Sequence, residues 1–212
     1  MMENYWYFVL GFTAQALFSA RMFVQWIMSE KSKKVVSPVI YWQLSLLASF
    51  LFFIYGWLRA DFAIILGQLF SYYIYIWNLN IQDHWKKIHI VFRIIILLTP
   101  AIVICMLLAT ERGHLERLWT EMPLGLLIFG SIGQIIFTFR FIYQWWYSRK
   151  LGKSILPNGF WILSIVGSLC IVLYGIYRRD PVLIIGQSAG FLTYSRNLFL
   201  NKKSKYEDIS DR

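Results

Sequence analysis

One stretch of this sequence is written twice. From Gly130 to Leu200, Gln134, Phe137, Arg140, Gln144, Trp145 and Ser148 are followed by Pro157, Trp161, Leu163, Ser164 and Ser168. Tyr174, Gly175, Arg178, Asp180, Gly186, Gln187, Tyr194, Asn197 and Leu198 complete the pattern. At a constant offset of 119 positions, from Gln15 against Gln134 to Asn78 against Asn197, the same residue types stand earlier in the chain. They are Gln15, Phe18, Arg21, Gln25, Trp26, Ser29, Pro38, Trp42, Leu44, Ser45, Ser49, Tyr55, Gly56, Arg59, Asp61, Gly67, Gln68, Tyr75, Asn78 and Leu79. No gap breaks the register, and roughly a third of the aligned positions are identical, which chance does not give. The fold must therefore contain two similar units, and a polar residue placed in one is placed in both.

What those units are made of follows from their apolarity. The chain is 58% hydrophobic and 15% charged, with a mean hydropathy of +0.53, against roughly 45–50% apolar and 25% charged residues in soluble domains. Apolar runs long enough to cross ~30 Å of hydrocarbon recur throughout. The sequence predicts an all-α polytopic membrane protein with seven spans. These are two parallel three-helix bundles, residues 5–81 and 122–200, joined by a linker, 82–121, that carries a fourth span over 88–109 without a repeat counterpart. Three is odd, so two copies joined directly would point in opposite directions; one extra crossing restores a common orientation. Ser37 is expected to cap the second span with Pro38 at its first position, and Pro157 and Pro181 open later spans. The polar tail, 201–212, is expected to be disordered.

Orientation follows from the placement of lysine and arginine in short loops. Lys31, Lys33, Lys34, Lys86, Lys87, Arg149, Lys150, Lys153, Lys202, Lys203 and Lys205 fall on one side; Arg59, Arg112, Arg117, Arg178 and Arg179 fall on the other. The first side is expected to be cytoplasmic, with the N-terminus outside and the C-terminus inside. The net charge of +10 thus reads as membrane topology rather than nucleic-acid binding. The N-terminal residues lack the basic region and small-residue cleavage site of a removable signal. Cys105 and Cys170 lie in apolar segments and read as small fillers. The tryptophans, among them Trp26, Trp42, Trp57, Trp145, Trp146 and Trp161, read as interface belts. No metal, cofactor or enzymatic motif is evident.

The candidate site is polar and cationic. Arg21 and Arg140 lie inside spans one and five, each followed four residues later by Gln25 or Gln144 on the same helical face, with Gln15 or Gln134 about two turns earlier. An intramembrane guanidinium is costly and by default marks function; the alternative is that it reaches the headgroups along its apolar stem. A second stripe holds Gln68, Ser71, Tyr75 and Asn78 in the first copy and Gln187, Gly190, Tyr194 and Asn197 in the second, with Arg196 added beside Asn197. These spans carry no acidic residue. Such a surface suits a phosphate, a sugar or a polar headgroup better than a proton or sodium relay. The alternative is interhelical hydrogen bonding, with Gly67 and Gly186 allowing close approach. The Arg59/Asp61 and Arg178/Asp180 turns read as helix starts capped by aspartate.

The segments FSARMFVQW, SPVIYWQLSLLAS, IYGWLRADFAIILGQ and YIWNL resemble the lipid A biosynthesis N-terminal domain family. So do FTFRFIYQWW, SILPNGFWILSIVGS and LYGIYRRDPVLIIGQSAGFLTYSRNL. The three-one-three arrangement is similar to the SWEET and PQ-loop triple-helix-bundle transporters, although the Pro-Gln dipeptide of the latter is absent. The resemblance implies a triple-helix-bundle fold, a bacterial inner membrane and a role in envelope glycolipid metabolism. The family's name comes from fusion to lipid-A-disaccharide synthase, whose glycosyltransferase part is absent here, so synthase activity is not expected. The leading expectation is a transporter or flippase for a lipid-linked polar headgroup such as a polyprenyl-phosphate sugar. Arg21 and Arg140 would hold the phosphate; Gln25, Gln144, Asn78, Asn197, Tyr75 and Tyr194 would hold sugar hydroxyls. The alternatives are a SWEET-like transporter of a soluble sugar or metabolite, and a scaffold that docks a glycosyltransferase.

Overall fold

In the computed structural model, residues 6–58, 62–109, 123–179, 181–188 and 190–210 are described. All regular structure among them is helical. The first copy contains α1 (Trp6–Ser32), α2 (Val39–Leu58) and α3 (Phe62–Ile81). A single 3-10 turn, Trp85–Lys87, precedes α4 (Ile90–Ala109). The second copy contains α5 (Leu124–Leu151), α6 (Asn158–Arg178), α7 (Pro181–Ser188) and α8 (Gly190–Ser210). Among the described residues, α1, α2, α5 and α6 are long and apolar enough to cross a membrane, as befits a membrane protein.

Several expectations change on contact with the structure. The segment expected as the seventh span contains the helices α7 and α8, with residue 189 between them outside the described residues. The tail expected to be disordered is helical as far as Ser210, because no glycine or proline follows Gly190 to stop a helix once started. Ser37 does not cap α2: its hydroxyl accepts from Trp42 Nε1 at 2.9 Å and meets Ser154 Oγ at 2.8 Å. Trp42 and Trp161 are fully buried rather than belt residues. Each stands edge-on to its neighbour, Tyr41 or Phe160, and lies against Tyr75 or Tyr194 at 6.0 and 6.2 Å. The aspartates of the two turns, Asp61 and Asp180, and the linker 110–122 lie outside the described residues. Pro181 does open α7.

Within each copy the helices pack in sequence, α1 on α2 on α3 and α5 on α6 on α7, with α8 also against α6. Between copies, α3 lies against α5, and α1 lies against α7 and α8. Each copy's first helix therefore meets the other copy's last, the pattern of a two-fold axis. The α4 helix packs on α2 and leaves Ile94, Leu98 and Ile102 exposed, as a lipid-facing helix does.

The turns repeat as well. The α5 helix ends at Gly152, whose φ of 63° is left-handed and whose neighbour Lys153 donates to Ser148 O. In the first copy the matching residue is Lys33, held at φ 52°. The same chain reversal is thus made once with the residue suited to it and once without.

Packing is tighter in the second copy. A Cβ at Gly167 would stand 2.7 Å from the Phe137 backbone, whereas the matching first-copy position is the fully buried Ala48. Since backbone cannot step aside as a flexible side chain can, Gly167→Ala should destabilise the protein by about 1–3 kcal/mol. Ala48→Gly should cost at most about 1 kcal/mol. Reversible unfolding in mixed micelles measures both.

Candidate functional site

Arg21 and Arg140 stand at matching places on α1 and α5. Arg21 is eleven residues from the end of α1, roughly 16 Å of helix. Helical side chains lean toward the N-terminus, so both guanidiniums are directed away from the basic loops, which excludes the headgroup-reaching alternative. Burial agrees: Arg21 is 4% exposed and Arg140 1%. Each is held by the same two hydroxyls of its own copy. Arg21 Nη1 donates to Ser45 Oγ at 2.6 Å and to Tyr75 OH at 3.4 Å. Arg140 Nη1 donates to Ser164 Oγ at 3.1 Å and to Tyr194 OH at 3.2 Å. Aromatic faces supply the remaining contact, Phe18 at 4.5 Å from Arg21 and Phe137 at 3.4 Å from Arg140. Phe141 serves both cations, at 5.5 and 4.6 Å.

These contacts do not neutralise charge. Hydroxyls and ring faces are neutral, and the Nε of each arginine is buried without a hydrogen-bond partner. Both arginines line one cleft between the copies, and among the described residues no aspartate or glutamate lines it. Its walls are built in matched pairs: Gln15 with Gln134, Gln68 with Gln187, and Tyr75 with Tyr194. Gln134 crosses to Gly67 on α3, and Gln15 crosses to Gly186 on α7; a side chain at either glycine would occupy the glutamine's amide position. Gln68 also accepts from Ser49 Oγ at 2.7 Å.

One turn nearer the basic loops, the cleft is closed by two reciprocal amide pairs. Gln25 Nε2 donates to Asn197 Oδ1 at 2.9 Å, and Asn197 Nδ2 returns a bond to Gln25 Oε1 at 3.0 Å. Gln144 and Asn78 do the same at 3.0 and 3.1 Å. Each glutamine also donates within its own copy, Gln25 to Ser29 Oγ and Val36 O, and Gln144 to Ser148 Oγ and Ile155 O. The four amides are completely buried. A helix, the loop that follows it and the opposite copy's last helix are tied at one point, twice.

The structure thus divides the residues singled out in the sequence. Arg21, Gln68, Tyr75, Arg140, Gln187 and Tyr194 line the cleft; Gln25, Asn78, Gln144 and Asn197 fasten its floor; Arg196 belongs to neither. It is exposed and forms a two-pronged ion pair with Glu30, its Nη2 reaching Oε2 at 3.0 Å. Trp26 Nε1 donates to the same carboxylate at 2.9 Å. At the matching place in the other seam, Trp77 meets Trp145 edge-on at 6.4 Å, and Arg149 lies 5.4 Å from the Trp145 ring. Of the lining residues, Gln15 and Gln134 carry a signal the sequence offered, identity across the copies, but their partnership with Gly67 and Gly186 needs the fold. Phe141 carried no repeat signal, because Met22 stands in its place.

Fold and cleft together define a duplicated helical membrane protein with an uncompensated cationic cleft between its copies. Comparison with known sequences places it more narrowly. The family described as Lipid A Biosynthesis N-terminal domain matches twice, over residues 10–80 and 129–199, and the chain belongs to this family. Among its relatives, the lipid-A-disaccharide synthase of Chlamydia pneumoniae is 28% identical over 95% of this chain and 34% of that protein. The synthase of Chlamydia felis is 27% identical over 94% and 34%, and that of Chlamydia trachomatis serovar D 26% over 95% and 35%. The chain therefore spans about a third of the length of these relatives. No solved structure matches it.

The amide pairs predict a measurable coupling. Asn197→Leu leaves Gln25 Oε1 without its donor, and Gln25→Leu does the reverse to Asn197. A double-mutant cycle on the two should show a coupling of about 0.6–1.7 kcal/mol, the range for polar contacts between membrane helices. Additive losses would show that the pair is not a fastener.

Proposed function

We propose that this chain binds the phosphate-bearing headgroup of a lipid between its two copies and carries it across the bacterial inner membrane. It would serve lipid A or a related envelope glycan. The headgroup class is that of a polyprenyl-phosphate sugar or a similar glycolipid precursor. The observation that carries the reading is the pair of buried guanidiniums with no carboxylate in their cleft among the described residues. An unpaired buried cation is costly, and a bound anion offsets that cost. The pathway rests on the family and on relatives named as lipid-A-disaccharide synthases. In this reading the chain crosses the membrane seven times in three-one-three order, N-terminus periplasmic and C-terminus cytoplasmic, as in the SWEET-like transporters. The copies rock about the cleft, as repeat transporters do. The cleft's cations, neutral amides and phenols serve recognition; no catalytic step is assigned to them.

Purified protein should be stabilised by a polyprenyl phosphate, by about 2.7 kcal/mol at a hundred times its dissociation constant. The variant carrying both Arg21→Ala and Arg140→Ala should lose that stabilisation. In proteoliposomes the wild type should move a labelled lipid phosphate between leaflets and the double variant should not. A wild type indifferent to every lipid phosphate overturns the reading. A second reading, a membrane scaffold for a glycosyltransferase, is favoured by the greater length of the synthase relatives. It predicts a pull-down of such an enzyme that survives loss of both arginines but fails without the basic loops. Uptake of free labelled sugar would instead indicate a SWEET-like solute transporter.

A further inference from the structure

The cleft also restricts the charge of what it binds. Arginine stays protonated under all ordinary conditions, so Arg21 and Arg140 bring two positive charges to one cleft that has no acidic lining residue among the described residues. The two are equivalent. Each sits at the matching place of its copy, held by one serine and one tyrosine, with its Nε buried and unpartnered. Both approach the same Phe141 ring and line the same cleft, the geometry a ligand shared between them requires. A ligand carrying one negative charge would leave one cation uncompensated in a buried site, the costly half of a broken ion pair.

We propose that the cleft selects a dianionic phosphoryl group, either a phosphate monoester or a diphosphate diester, over a singly charged phosphodiester, with one guanidinium for each negative charge. The inference rests on the reading of the cleft as a phosphate site and narrows it. A phosphodiester-linked sugar becomes the disfavoured member of the class, and a lipid monophosphate or a diphosphate-linked sugar the favoured one. The Nη1 of each guanidinium already serves two hydroxyls, so the N–H groups on Nη2 and Nε are the donors left for the ligand.

The test compares ligands that differ in charge and share a tail. Binding of farnesyl phosphate and of its methyl ester, a monoanionic diester, is measured on the full chain in detergent, with inorganic phosphate as the tail-free dianion. At pH 8 the monoester should bind at least about tenfold tighter than the methyl ester, the equivalent of one charge-assisted hydrogen bond. That advantage should shrink as the pH falls through about 6, where a phosphate monoester takes up its second proton, while binding of the methyl ester stays level. Arg21→Gln and Arg140→Gln, each removing one cation, should bring the two ligands to near parity, and Arg21→Lys should keep the preference. The pH series needs only the wild type, so the test stands even if a variant fails to fold. A methyl ester that binds as well as the monoester at pH 8 overturns the charge rule and leaves the lipid-phosphate reading intact. Inorganic phosphate binding as tightly as farnesyl phosphate supports the dianion site but overturns the lipid as its source. No binding by any of the three overturns the phosphate reading and this inference with it.

Discussion

A guanidinium cannot lose its charge to escape a low-dielectric interior, as a lysine can. Everything around Arg21 and Arg140 is arranged under that constraint. Ser45 and Tyr75, or Ser164 and Tyr194, come from the second and last helices of each copy and converge on one nitrogen. To bring them there, the helices must be set at one separation and one rotation. The buried tryptophans Trp42 and Trp161 hold the tyrosines against that position. The aromatic core is therefore a support for the two cations as well as an apolar filling, which is why residues that would ordinarily seek the membrane interface lie inside.

The fold was largely legible in the sequence because duplication at fixed register is a strong signal and apolar runs set helix lengths. The starts of α2 and α6, expected at Pro38 and Pro157, and the end of the first copy, expected at residue 81, were read to within a residue. The helical tail was not legible: polarity suggested disorder but backbone continuity decided. The cleft was half legible. Matched polar residues on one helical face pointed to Arg21 and Arg140, but the sequence does not say which matched residue meets the opposite copy. Gln25 and Asn197, 172 positions apart, become partners only through the two-fold packing, and their separate helical stripes look the same whether they face a ligand or each other.

The copies are alike in the cleft and unlike at its rim. On one seam Glu30 and Arg196 form an ion pair beside Trp26; on the other, Arg149, Trp145 and Trp77 occupy the same three places. One seam carries an ion pair, which salt screens; the other carries the edge-on contact of two neutral rings, Trp77 and Trp145, which salt leaves largely unchanged. The two seams differ in what they respond to, although the floor between them is the same on both sides. Met22 and Phe141, at matching places, break the symmetry again in the lining of the cleft.

The amide floor has a further consequence. A glutamine and an asparagine are present in every copy, the glutamine on the first helix and the asparagine on the last, and each meets its complement in the other. A single copy thus carries both halves of the fastener, and two identical copies about a two-fold axis would satisfy both pairs, as in an isologous dimer. Seen this way, the chain is a dimer made permanent. The α4 helix is the tether, replacing the chance meeting of two separate subunits with an effective concentration fixed by its own length. What fusion adds is freedom for the halves to diverge, and the unequal seams are where that freedom has been used.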